Sequence, residues 1–178
     1  YEEDAQLIYF LTRLPDIYLI LYKPIFTIKN APIDGEIILI SPVGIEILYV
    51  IEAEEGATII ADHDRIWYEE KNHKRSSFLN PLISLKRNEH IIKTLLQSHG
   101  IHLQIRKTIF SKHHVILAPT KPYQTNVVDK RTEEKWLLEK RRLNTTLKRD
   151  QLKSAEILLN HCLTNAVKRP EWEEAWDE

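Results

Sequence analysis

The hydrophobic pattern changes period several times along the chain, and each change predicts an element. In "EEDAQLIYFLTRL", Ala5, Leu7, Ile8, Leu11 and Leu14 fall mostly on one side of a helix that Pro15 closes. "DIYLILYKPIFTIK" is rich in β-formers and predicts an extended segment broken at Pro24. "EIILIS" is a nearly continuous apolar run ending in "SPVG", the pattern of a buried strand entering a turn. Ile45 to Ala53 predicts the next strand, so a hairpin would let the Glu36 and Glu52 ends meet. "ATIIA" and "RIWYEE" predict two further strands around a "DHD" turn.

Residues 81–99 form the best amphipathic helix. Leu82, Leu85, Ile91, Ile92, Leu95 and Leu96 make its apolar stripe, Asn80 and Pro81 open it, and Gly100 ends it. "IHLQIRKTIF" and "HHVILAP" predict two more strands. From about residue 130 the pattern becomes helical and heavily charged. Helices are expected over 131–149 and 150–168, stopped by Arg169 and Pro170, with Trp172 and Trp176 spaced for a short docked helix. The element order predicts an α/β fold: a mixed central β-sheet flanked by helices, with a C-terminal helical extension. Residues 1–120 are expected to form the α/β domain and 121–178 the extension.

Composition narrows the class. The chain has 178 residues, 43% of them apolar, enough for a core without covalent staples. A single cysteine, Cys162, excludes an internal disulfide framework and fits a reducing compartment, so a cytoplasmic location is expected. No apolar run reaches the roughly 20 residues needed to span a bilayer, and no signal-peptide pattern opens the chain. Methionine is absent even at position 1, as expected of a fragment or of a sequence from which modified methionines were dropped. With four glycines there is neither a Walker pattern nor a dinucleotide fingerprint.

Charge is partitioned more sharply than the net −1 implies. Residues 34–64 hold eight acids and no Lys or Arg, whereas 65–114 hold ten Lys/Arg against three acids. Residues 121–149 hold nine against four. An acidic centre beside basic segments suits a metal-dependent enzyme acting on a polyanion, and equally suits internal charge pairing.

The acidic centre carries the candidate chemistry. Mg²⁺ prefers one or two carboxylates with retained waters, leaving room for a phosphate. Glu36 at a strand start and Glu52 at a strand end are the candidate ligands. Glu54 lies two residues past Glu52, on the same face if the strand continues, and Asp34 lies two before Glu36. Strand ends also project acids into solvent without any catalytic purpose.

The motifs "EIILISPVG" (36–44), "VIEAEEG" (50–56), Trp67 and "NPLISLKRNEHIIKTLL" (80–96) occur in an order that resembles the nuclease-related domain (NERD) family, a branch of the PD-(D/E)XK nuclease fold. The resemblance runs from residue 1 to about 118 and implies a restriction-endonuclease-like core. It puts Glu36 in the place of the metal-binding acid and Glu52 in that of the second carboxylate, with Mg²⁺ or Mn²⁺ as cofactor and DNA as partner. The family's lysine, which positions or activates the attacking water, falls on Glu54. An acid there reverses the field at the scissile phosphate. Three extra residues between Gly44 and Glu52, and Ser84 in place of a frequent Gln, are further departures.

Three readings of the altered site follow. The lysine has moved, with Lys86 on the 81–99 helix as candidate; or Glu54 joins the metal ligands; or the site is vestigial and the fold serves binding. The expectation is a nuclease fold with reduced or lost cleavage. An active Mg²⁺-dependent deoxyribonuclease and a protein-interaction module that self-associates through its C-terminal helices are the alternatives.

The remaining signals are weaker. Eight histidines show no HExxH and are expected at the surface; Cys162, in "LLNHCL", reads as a packed helix residue. The basic segment "DKRTEEKWLLEKRRLNTTLKRD" has an apolar side at Trp136, Leu137, Leu143 and Leu147, which favours an ordinary docked helix over a phosphate-binding one.

Overall fold

The turn at Pro42–Val43 sets the geometry of the centre. In the computed structural model, which describes residues 2–163, the fourth and fifth strands, β4 (Ile37–Ser41) and β5 (Gly44–Val50), form a hairpin closed by the pair Ser41 and Gly44. Gly44 adopts φ +128°, and a Cβ there would lie 2.5 Å from the Gln104 carbonyl oxygen, so only glycine fits. Every residue of β4 is buried, which is why its sequence shows no alternation.

The hairpin is the middle of a five-stranded mixed sheet. β1 (Leu19–Leu21) pairs antiparallel with β4, β9 (Ile105–Phe110) runs parallel to β5, and β11 (Thr125–Val128) runs parallel to β9. A second sheet has the order β10 (Val115–Leu117), β6 (Thr58–Ile60), β7 (Ile66–Lys71), β8 (Lys74–Leu79). A small hairpin of β2 (Ile25–Ile28) and β3 (Ala31–Asp34) stands apart.

Helices cover both faces of the large sheet. On one side α2 (Leu82–Gln97) and α4 (Arg149–Asn160) pack with the second sheet around Ile38, Ile47, Ile59, Trp67, Ile92 and Leu158. On the other, α1 (Glu2–Arg13) and α3 (Glu133–Arg141) cover Phe10, Leu39, Leu48, Phe110, Trp136 and Leu137. Each fully buried aliphatic or aromatic side chain contributes roughly 1.5–3 kcal/mol, so both layers are needed. Asn80 opens α2 by accepting the Leu82 N–H at 2.9 Å, and Gly100, at φ +72°, lets the chain leave.

The mixed sheet flanked by helices matches the sequence reading. The chain beyond residue 120 is not a separate appendage. β11 extends the central sheet, and α3 and α4 spend Trp136, Leu137, Ile157 and Leu158 on the two cores. The helices expected over 131–149 and 150–168 are shorter than predicted, because residues 143–148 between them are non-helical. The second ends at Asn160, while residues 164–168 of its expected span, the expected stop at Arg169 and Pro170, and the Trp172–Trp176 segment lie outside the described residues.

Candidate active-site region

Glu36 precedes β4 and is held from α2. Ser84 and Asn88 stand one turn apart on the same face of that helix. The Ser84 hydroxyl donates to the Glu36 carboxylate at 2.6 Å. Asn88, fully buried, accepts the Glu36 backbone N–H at 2.9 Å and donates to the Ser84 carbonyl at 3.0 Å. The position read as a departure, Ser84 for Gln, therefore supplies a direct partner to the acid.

Glu52 is not the cross-strand neighbour of Glu36. The hairpin pairs Ile37 with Leu48, so the residue opposite Glu36, one step further, is Tyr49. Glu52 lies three residues beyond Tyr49, past the end of β5. Regular pairing has by then ended at Val50, and Glu52 is exposed. Burial pushes the Tyr49 phenol above its ordinary pKa, and the charges of Glu36 and Glu52 add to the push.

Glu54 turns a different way. Its backbone N–H donates to Glu69 Oε1 at 2.5 Å and its carbonyl accepts from His114 Nε2 at 2.9 Å. The exposed carboxylate leans toward Lys71 of the second sheet, with Nζ 3.9 Å away. Lys86 is exposed and two residues from Ser84, about 200° around the helix, so it points away from Glu36. Among the described residues, no three His, Cys, Asp or Glu side chains come close enough to share a metal ion.

What does gather is a cleft of about 400 Å³ beneath α1, at the C-terminal ends of the parallel strands β5 and β9. Open α/β sheets commonly take ligands at such carboxyl ends. Glu52, Ala53, Gln6 and Tyr9 border it, together with the segment Ser111–Lys112–His113–His114 that follows β9. The Lys112 ammonium lies over the Tyr9 ring, 4.5 Å from its centre.

His114 is 5% exposed, against the expectation that the histidines lie at the surface. The Glu54 carbonyl only accepts, so Nε2 carries the proton; in the neutral ring Nδ1 then accepts from the buried Ser111 hydroxyl, 2.9 Å away. This chain ties the acidic segment 52–55 to the end of β9. Ser84, Asn88, Lys112 and His114 were not singled out as site residues from sequence. Two signals were there: the four-residue spacing of Ser84 and Asn88 on a helix, and the position of "SKHH" at the end of a strand parallel to β5.

The fold, a central mixed sheet flanked by helices, is that of a nuclease-like α/β protein. The model of the nuclease-related domain, NERD, matches residues 1–118, and the chain belongs to that family. No curated protein and no solved structure shows a significant match. No helix among the described residues is long and apolar enough to cross a membrane.

Proposed function

We infer that this NERD domain binds nucleic acid on a nuclease-derived scaffold and has lost most or all metal-dependent cleavage. One observation carries the reading: the Glu36 carboxylate, opposite Tyr49 when the β4–β5 register is continued one step, already accepts a hydrogen bond from Ser84. A Glu36 carboxylate engaged by Ser84 and a Glu54 carboxylate turned toward Lys71 speak against the Mg²⁺ or Mn²⁺ centre that the PD-(D/E)XK resemblance implies. Glu54 in place of the family's lysine adds a charge of the wrong sign for a developing phosphorane. Binding is supported by the exposed bases of the segment 65–114, among them Lys74 and Arg75 on β8 and Lys86, Arg87 and Lys93 on α2.

The test is to incubate the full chain with plasmid DNA and Mg²⁺ or Mn²⁺, with Glu52→Ala as control, and to measure retention of a labelled duplex at rising salt. Retention that falls with salt, with no cleavage, is expected. Cleavage abolished by Glu52→Ala would establish an active nuclease instead. Absence of both, with light scattering showing dimers, would establish self-association.

A further inference from the structure

The cleft under α1 holds a cation that makes no ion pair with a carboxylate among the described residues. Lys112 is half-buried, and its ammonium rests on Tyr9 with no carboxylate within ion-pair distance among the described residues. Two lysines of low exposure elsewhere in the fold are paired: Lys107 with Glu89 at 3.0 Å, and Lys140 with Glu46. The Tyr9 hydroxyl donates to Glu133 at 2.5 Å, which fixes the ring under the ammonium. A partly desolvated charge held this way costs free energy until an anion meets it.

The rest of the cleft adds three features. His113 is exposed beside Lys112. The Gln6 amide oxygen accepts from Tyr22 at 2.8 Å, which turns its NH₂ into a fixed donor. The lining is mainly apolar, with Ala5, Val50 and Ala53 as the accessible wall, and Glu52 is a single carboxylate acceptor at the rim. A volume of about 400 Å³ falls in the range of about 300–1,000 Å³ typical of small-ligand sites.

We propose that this cleft binds a nucleoside 5′-monophosphate, either free or as the phosphorylated 5′ end of a strand. Lys112, His113 and the Gln6 amide meet the phosphate, Glu52 accepts from a sugar hydroxyl, and the base lies on the apolar wall. An ammonium binds phosphate as a point charge, and the buried setting strengthens the contact. The cleft does not require the basic outer surfaces, so it would bind a nucleotide even if long duplexes were not retained.

The experiment titrates the full chain with adenosine 5′-monophosphate and with adenosine, following amide shifts by NMR and affinity by calorimetry. Adenosine 5′-monophosphate is expected to shift the amides of Ala53, Lys112 and His113 and to bind at least tenfold more tightly than adenosine. Lys112→Gln, which keeps a stem over Tyr9, is expected to remove that preference, and Lys112→Arg to retain most of it. Equal binding of the two ligands, shifts confined to another surface, no binding, or an unchanged affinity in a folded Lys112→Gln protein would each overturn the proposal. A ten-nucleotide strand with and without a 5′-phosphate separates the two sources. A phosphate-dependent gain marks strand ends as ligands; its absence, with mononucleotide binding intact, marks free nucleotides. Duplex retention that survives Lys112→Gln belongs to the outer surface, so the two readings fail separately.

Discussion

Glu36 stands opposite Tyr49 across the β4–β5 hairpin, one step beyond the pair Ile37 and Leu48. The half-buried phenol is the group that senses the acidic centre, since burial first and then the charges of Glu36 and Glu52 raise its pKa. Replacing either carboxylate by its amide removes a negative charge that disfavours the phenolate. Glu36→Gln and Glu52→Gln are each expected to lower the Tyr49 titration midpoint, leaving it above the ordinary tyrosine value because burial remains. Titration of ¹³C-labelled tyrosine by NMR checks this, and an unmoved Tyr49 would mean that the carboxylates lie further off.

Asn88 contributes more to stability than Ser84. It is fully buried, and its side chain satisfies the Glu36 N–H and the Ser84 carbonyl at once. Asn88→Ala leaves the Glu36 N–H without its partner and empties a fully buried position, and is expected to cost about 2–3 kcal/mol. Ser84→Ala removes one hydrogen bond to a half-buried carboxylate that water can still reach, for about 1 kcal/mol. Urea melts of the two variants give the comparison, and equal losses would show that Asn88 is not the anchor.

The parts that could be read from the sequence are those with a buried face. β4, β5, β9 and α2 carry apolar runs or stripes, and each lies where the pattern put it. The missed strands are edges. β8 reads "KRSSFL", exposed at five of its six positions, with charges that protect an open edge; β3 carries Pro32 for the same reason. Their turns, Lys29–Asn30 and Asn72–His73, have positive φ at both residues without glycine, so the usual turn signal was missing. The candidate acids were legible as acids, but their meeting was not. Whether Glu52 reaches Glu36 depends on register, and register follows from the length of the turn at Pro42–Val43, which apolar periodicity does not report.

The pair Glu46 and Lys140 ties α3 to the sheet. Glu46 faces α3 from β5, accepts from the Thr108 hydroxyl at 2.5 Å and pairs with Lys140, whose ammonium also lies 4.5 Å from the centre of Trp136. Both side chains are largely buried, at 10% and 13% exposure. Lys140→Ala strands a buried carboxylate and is expected to cost about 3–5 kcal/mol, whereas the double change Glu46→Leu with Lys140→Met restores most of the loss. Thermal melts of the single and double variants decide it. A double variant no better than the single would show that the ion pair itself, rather than its completeness, holds the helix.

Acid sensitivity centres on Asp129. Burial alone would raise its carboxyl pKa, but the Arg131 side chain and the backbone N–H groups of Ile116 and Arg131 all donate to it, and together they bring the pKa below the usual value. In the unfolded chain these donors are gone and the carboxyl titrates near 3.9. Folding therefore releases a proton from this group as pH passes through that region. The stabilisation is complete above about pH 4 and is lost as pH falls through the lower, folded-state value. Asp129→Asn keeps the size but gives up one acceptor oxygen and the charge. It is expected to lower Tm at pH 7 and to flatten the decline of Tm below pH 4, because the titrating group is absent. Calorimetric scans from pH 7 to pH 2.5 on both proteins measure the difference, and parallel acid limbs would move the origin of the acid sensitivity to another carboxylate.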